Sequence, residues 1–301
     1  LIAEVDMDNK RIVLENDNLI VEIASCGAEL KRIYGKKNNL EYLWKGDKAG
    51  FWQRSAPLLF PFVGRFQDGI YTYKGEKYSI ACHGFAKDSS FSLADCSSVK
   101  AVLELKSDSE TKKAYPFDFL LVVSYILDES CLKEVVEVEN RSNCTMLFKI
   151  GFHPAFNVPL QDNLSFEDYE IDFKDANCIK RRMISKRGLE TGDDFVPVEI
   201  DGNILHLEHN IFSNEALVLS NTGGSAKLFS GKSNHYVSLE YNTFWCSLWQ
   251  EPRPDTPFVA IEPWYNLPGK DSVIEDLEQI KDVETLQKGE KKSFELTFNF
   301  G

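Results

Sequence analysis

The sequence predicts an all-β fold, a large antiparallel β-sandwich with few short helices, formed by residues 1–301 as one domain. Three observations lead there. Period-two alternation of apolar and polar residues recurs from the first segments to the last. Turn chemistry separates the candidate strands at short intervals, the spacing of a sandwich or barrel. Helical periodicity is sparse, no linker divides the chain, and no repeat period is visible.

In chain order, Leu19, Val21 and Ile23 alternate with polar positions and predict the first clear strand. A short turn is expected between Ala49 and Arg54. Ile70-Tyr71-Thr72-Tyr73 and Glu76 to Ile80 flank Lys74-Gly75 and read as a hairpin. The apolar run Phe119 to Leu127 reads as a strand buried on both faces, and Cys131 to Glu139 follows as its hairpin partner. Further strands are expected at Thr145–Ile150, Tyr169–Phe173, His235–Tyr241, Phe244–Trp249 and Phe258–Ile261. Lys180 to Asp194 is charged and reads as a surface excursion. Ser272 to Lys281, with Val273, Leu277 and Ile280 spaced for one side, predicts a short helix. Phe294, Leu296 and Phe298 alternate with Glu295, Thr297 and Asn299 in the closing strand.

A hydrophobic content of 43% can fill a sizeable core. A formal net charge of −13 argues against nucleic acid and anionic membranes as partners, since both require basic patches. The seven cysteines form no Cys-x-x-Cys pair, which points to reduced thiols rather than a disulfide framework or zinc site. With no signal-peptide pattern and no apolar run of spanning length, the expected location is cytoplasmic.

Four segments carry chemistry. Pro57 to Phe66 is an apolar, proline-stiffened run holding Arg65, whose charge is costly to bury without a partner. It is either a donor fork for ligand oxygens or a surface residue at a strand end. Cys82-His83-Gly84-Phe85-Ala86-Lys87 places a histidine beside a glycine that permits close backbone approach. Gly151-Phe152-His153-Pro154-Ala155-Phe156-Asn157 holds an imidazole between aromatics, serving either core packing or proton transfer. Pro257 to Tyr265 ends an apolar strand on Glu262, and buried carboxylates are rare without a partner or a task. Imidazole and carboxylate together can exchange protons near neutral pH, and neighbouring aromatics suit a sugar's apolar faces.

Together these segments resemble the aldose 1-epimerase (galactose mutarotase-like) family, in its LacX-like branch. The resemblance extends to Asn18 to Ile23 with Gly27-Ala28-Glu29-Leu30, and to Glu284-Thr285-Leu286 with Gly289-Glu290. It implies a galactose mutarotase-like supersandwich with a sugar cleft. It puts His153 on the catalytic acid and Glu262 on the catalytic base, with Arg65 and His83 orienting the substrate. The implied reaction interconverts the α and β anomers of an aldohexose, with no cofactor and no metal. Two departures stand out. Asn214-Glu215 occupies the region of a sugar-binding aspartate, so Glu215 becomes the candidate for that contact. Lys87 stands where close relatives often have arginine.

Trp245 and Trp249 are four apart, on one face of a strand, and Trp249 is a candidate to stack on a sugar. His206 and His209 lack a third ligand nearby and read as surface residues. Cys82 and His83 are not read as a nucleophile–base pair, since strand neighbours point to opposite faces. Lys180-Arg181-Arg182 with Lys186-Arg187 is either solvated or a phosphate clamp. The latter suits a hexose-6-phosphate mutarotase, the nearest alternative substrate class. A non-catalytic sugar-binding protein on the same scaffold is the other, and a monomer or homodimer is expected.

Overall fold

The computed structural model describes residues 4–6, 11–192, 196–197, 200–212 and 216–301. Two large antiparallel sheets face each other across one core. The first has nine strands. Its centre is formed by Phe119–Asp128, Cys131–Asn140, Lys291–Phe300 and Tyr236–Tyr241, and its edges by Ser92–Ser97 and Ile204–His206. The second runs Val196–Pro197, Lys180–Arg182, Leu217–Ser220, Trp245–Trp249, Phe258–Trp264, Gly151–Phe152, Leu58–Leu59, with Ala155–Asn157 also paired to Phe258–Trp264. A five-stranded sheet from the N-terminal segments, Glu4–Asp6 to Leu40–Glu41, adjoins them.

Burial follows from the strand period. Along Cys131–Asn140 every second side chain is buried, and Leu132, Val136 and Val138 enter the core. Lys291–Phe300 does the same with Phe294, Leu296 and Phe298. Aromatic contacts hold the layers together: Phe156 meets Phe298 across the two sheets at 6.3 Å between ring centres, and Phe148, of the short separate strand Met146–Phe148, meets Phe294 at 5.9 Å.

The second sheet differs, because it is buried on both faces. All seven residues of Phe258–Trp264 are buried. Cys246, Leu248, Val259 and Ile261 point into the main core. The alternate residues point the other way, into two smaller clusters: Trp245, Trp264, Val218 and Ile184 in one, Ala155, Phe258, Ala260, Trp44 and Trp52 in the other. That outer face carries the candidate site.

Several expectations are corrected. Ser272 to Lys281 is not a helix. It holds a two-residue strand, Glu275–Asp276, and the 3-10 turn Leu277–Gln279, in which the Asp276 carboxylate accepts from the Glu278 N–H. Val273 and Ile274 remain exposed instead of forming a buried stripe. Lys180 to Gly192 is no surface excursion: Lys180–Arg182 is a strand of the second sheet, and Ile184, Leu189 and Glu190 are buried. Asp193 and Asp194 lie outside the described residues. Phe119–Asp128 is buried throughout only at its start and then alternates, as a one-sided strand does. Among the described residues no helix is long and apolar enough to cross a membrane.

Candidate active site

The strand Phe258–Trp264 aims Ala260, Glu262 and Trp264 at the outer face, because alternate positions face opposite sides. On one flank Ser247 is the direct partner of Glu262, and Val218 is the partner of Ser247. On the other flank Gly151 pairs with Trp264 and Ala155 with Ala260. Between those two pairs, the same register sets His153 opposite Glu262. Gly151 is required here, since a Cβ would sit 2.9 Å from the Trp264 indole. The result is a row across the sheet: Val218, Ser247, Glu262, His153.

In that row His153 Nε2 lies 3.1 Å from Glu262 Oε2. Trp264 Nε1–H donates to the same oxygen at 3.2 Å. Both partners are nearly sealed from solvent, His153 at 7% exposure and Glu262 at 1%. The Trp52 indole stacks on the His153 ring at 4.8 Å, and Trp249 meets it edge-on at 5.7 Å. Burial governs the titration of both groups. It lowers the His153 imidazole to about 3, with the Arg54 charge acting in the same sense. It raises the Glu262 carboxyl well above the ordinary carboxylate range, against the Trp264 hydrogen bond. Each group resists its charged form, so together they hold one proton rather than two or none. Among the described residues the buried His153 Nδ1 atom has no hydrogen-bond partner.

His83 approaches from a turn with φ of 64°, unusual for a residue with a side chain. Its Nδ1 accepts from the Gly64 N–H at 3.1 Å, and its own N–H donates to the Gly64 carbonyl at 2.7 Å. The neutral ring therefore carries its proton on Nε2. Burial, and then the charges of His153, Lys87, Arg65 and Arg54, keep the ring from ionising. The ring stands perpendicular to that of His153, with 5.5 Å between ring centres. Because this segment is a turn and not a strand, Cys82 and His83 both line the cavity, contrary to the expected opposite facing.

Trp52 and Arg54 were not among the sequence candidates. Their segment is tied down on all sides. The Trp52 N–H donates to Glu251 at 3.1 Å, and its carbonyl accepts from the Trp44 indole at 2.9 Å. The buried Glu29 carboxylate accepts from the Ser55 N–H at 2.7 Å and the Ala56 N–H at 3.2 Å. Arg54 pairs with Asp88 and donates to the Lys87 carbonyl, while Lys87 Nζ lies 2.5 Å from Asp88. The signal in the sequence was an aromatic pair, Phe51-Trp52, set beside the turn at Lys48-Ala49-Gly50.

Five of the six predicted residues, His153, Glu262, Arg65, His83 and Trp249, line one cavity of about 460 Å³ together with Trp52, Arg54, Lys87 and Gln250. Arg65 is exposed at its mouth beside Gly188. Among the described residues its guanidinium has neither an ion pair nor a hydrogen bond. Glu215 lies outside the described residues, although its neighbours Phe212 and Ala216 line the cavity. Lys180 and Arg181 are absent from the cavity lining, Arg182 is paired with Glu190, and Arg187 is paired with Asp271. His206 is exposed beside Glu170, whereas His209 is partly buried, stacked on Phe166 and bonded to Gln250.

A β-rich chain of antiparallel sheets with few helices is the fold of galactose mutarotase-like proteins. The chain belongs to the aldose 1-epimerase family, whose model matches residues 10–299. It is 29% identical to the plasmid-encoded protein LacX of Lactococcus lactis subsp. lactis over 297 residues, covering 95% of this chain and 98% of that protein. Among solved structures it is similar to a galactose mutarotase-like protein from Lactobacillus casei at 32% identity and a TM-score of 0.91, covering 97% of this chain and 100% of that one. It is also similar to a galactose mutarotase related enzyme from Lactobacillus acidophilus, at 28% identity and a TM-score of 0.88, covering 97% of each chain.

Proposed function

We propose that this protein is a mutarotase that interconverts the α and β anomers of an aldohexose. The observation that carries the reading is the 3.1 Å contact between His153 Nε2 and Glu262 Oε2 inside an aromatic cleft. Ring opening needs a proton removed from the anomeric hydroxyl and another supplied to the ring oxygen. Glu262, ionised, takes the first, and His153, protonated, gives the second as the C1–O5 bond breaks. The aldehyde rotates about C1–C2, and the ring recloses on the other face with both protons returned. Imidazolium–carboxylate and imidazole–carboxylic acid hold the same number of protons. The reactive form is therefore one proton transfer from the neutral pair that burial favours.

Trp52 and Trp249 meet at 5.5 Å, nearly perpendicular, and offer a corner for the apolar face of a sugar. His83 Nε2–H and Arg65 supply donors for its hydroxyls. A free sugar is favoured over a 6-phosphate, because Arg54 and Lys87 are already engaged, Arg54 with Asp88 and Glu29 and Lys87 with Asp88. Arg65, unpaired among the described residues, is the group to which a phosphorylated sugar would turn.

NMR exchange spectroscopy on glucose, galactose and their 6-phosphates tests the reading. Anomer exchange above the buffer rate is expected, reduced roughly 10²–10⁴-fold by Glu262→Gln or His153→Asn. Exchange no faster than buffer for every sugar would leave a non-catalytic sugar-binding protein on this scaffold.

A further inference from the structure

Ser247 is fully buried, yet its hydroxyl has no hydrogen-bond partner among the described residues. Buried hydroxyls are normally paired, so an orphan calls for an explanation. Ser247 stands directly across the sheet from Glu262, at a spacing where side chains of paired strands meet. It does not line the cavity, so it lies behind the carboxylate rather than against a ligand. The side chains around it on the same face are Trp245 and Trp249 along its strand, Val218 on one side, and Ala260 and Trp264 diagonally on the other. None of these can accept a hydrogen bond, since an indole N–H only donates. Glu262 is the acceptor the sheet sets beside it.

We infer that Ser247 is a positioning residue whose hydroxyl turns to donate to Glu262 when that carboxylate ionises. This rests on the mutarotase reading of the site. In the resting pair one oxygen of the carboxyl, Oε2, meets both His153 Nε2 at 3.1 Å and the Trp264 Nε1–H donor at 3.2 Å. An ionised carboxylate has room for about four donors. In a dry site each one counts for more than in water, and a hydroxyl donating to a charged oxygen is a short, strong bond. Serine reaches it by changing between staggered side-chain rotamers, with no backbone movement. The orphan hydroxyl is thus a donor held in reserve for the charged state.

Other groups bear on the same carboxylate. His153 contacts it from the facing segment, and the Cys246 and Cys82 thiols are the further titratable groups near it. Arg54, Arg65, Lys87 and His83 act further out, on His153, Cys82 and on one another. None of these is a hydroxyl on the Glu262 side of the sheet, so removing Ser247 leaves them in place.

The test is Ser247→Ala, with Ser247→Thr restoring a hydroxyl. The carboxyl stretch of Glu262, identified by infrared difference against Glu262→Gln, is titrated in ligand-free protein. The alanine should raise its midpoint by about one pH unit, which corresponds to a tenfold loss of the ionised form. In exchange kinetics the alkaline limb should move up with it and the plateau kcat fall about tenfold, with KM within about twofold. Threonine should return the midpoint toward wild type. Should the alanine variant fail to fold, the near-isosteric Ser247→Cys gives the same readouts. An unmoved carboxyl midpoint overturns the inference, whether or not kcat falls. If wild type shows no anomer exchange at all, the mutarotase reading fails, while the infrared titration still decides whether Ser247 and Glu262 are coupled.

Discussion

One proton is the natural load of the His153–Glu262 pair, and this dictates how pH should act on it. His153 is lowered to about 3 and Glu262 is raised, both chiefly by burial. Going down in pH, a second proton adds only toward the depressed histidine value. Going up, the last proton leaves only above the ordinary carboxylate range. Anomer exchange should therefore follow a bell whose acid limb lies well below the usual histidine pKa of about 6.5 and whose alkaline limb marks loss of the shared proton. The profile of kcat against pH measures this. An acid limb at the ordinary histidine value with no alkaline limb would mean that the two groups titrate separately. The pair itself was legible in the sequence, because a histidine and a glutamate each stood in an apolar, proline-marked setting. Trp52, Arg54 and Ser247 were not. Ser247 matters only through the strand register that sets it beside Glu262, and Trp52 only through a loop fastened by Glu251 and Trp44. Neither relation is written in local spacing.

At the scale of elements, strands with clean alternation were read well: Leu19–Ala24, the hairpin Ile70–Tyr73 with Glu76–Ser79, Cys131–Asn140 and Lys291–Phe300 all follow the predicted pattern. The reading failed where tertiary contacts override local periodicity. Ser272 to Lys281 has helical spacing, but Glu275–Asp276 pairs in parallel with Ile70–Tyr73, and its neighbours serve as braces. The Glu275 carboxylate accepts from the Lys270 N–H at 3.0 Å, and Asp282 accepts from the Leu267 N–H at 2.6 Å. Lys149 completes this bracing. Its buried ammonium donates to the Leu267 carbonyl at 2.6 Å and to the Pro268 carbonyl at 3.4 Å. Pro268 in turn packs on Gly64, whose Cβ would lie 2.6 Å from it, beside Arg65 at the cleft mouth. Lys149→Met leaves two buried carbonyls without a donor, at a cost of about 1–3 kcal/mol. The loosened wall should show as KM rising about tenfold with kcat little changed, the pattern of lost uniform binding. Steady-state exchange kinetics alongside urea unfolding check both, and an unchanged KM would separate the brace from the cleft.

At the scale of the molecule, one hydrogen-bonded path links the core of the large sheet to the cleft. Glu134 is buried on the inner face, directly across from Tyr125. The Tyr125 hydroxyl lies 2.7 Å from the Ala28 carbonyl and 3.1 Å from Glu134 Oε1. A carbonyl cannot donate, so the single tyrosine proton goes to Ala28, and Glu134 must supply the proton of the second bond. The carboxyl is accordingly a protonated acid, in keeping with burial raising it to about 8. Ala28 adjoins Glu29, which holds the segment bearing Trp52 and Arg54 by the N–H groups of Ser55 and Ala56. The raised value has a cost with a definite sign. Below pH 4.5 the group is neutral in the folded and unfolded chains alike, and it weighs on neither. Between there and pH 8 the unfolded chain ionises first, so folding loses ground as pH rises. At pH 7 this amounts to about 3 kcal/mol, at about 1.36 kcal/mol per pH unit. Glu134→Gln keeps a neutral donor toward Tyr125 and does not titrate. Its unfolding free energy relative to wild type should therefore shift in its favour by about 3 kcal/mol between pH 4.5 and pH 7, as read from urea unfolding at each pH. Parallel stability profiles would mean that Glu134 ionises inside the core, and the path from the large sheet to the cleft would then begin with a charge instead of a proton donor.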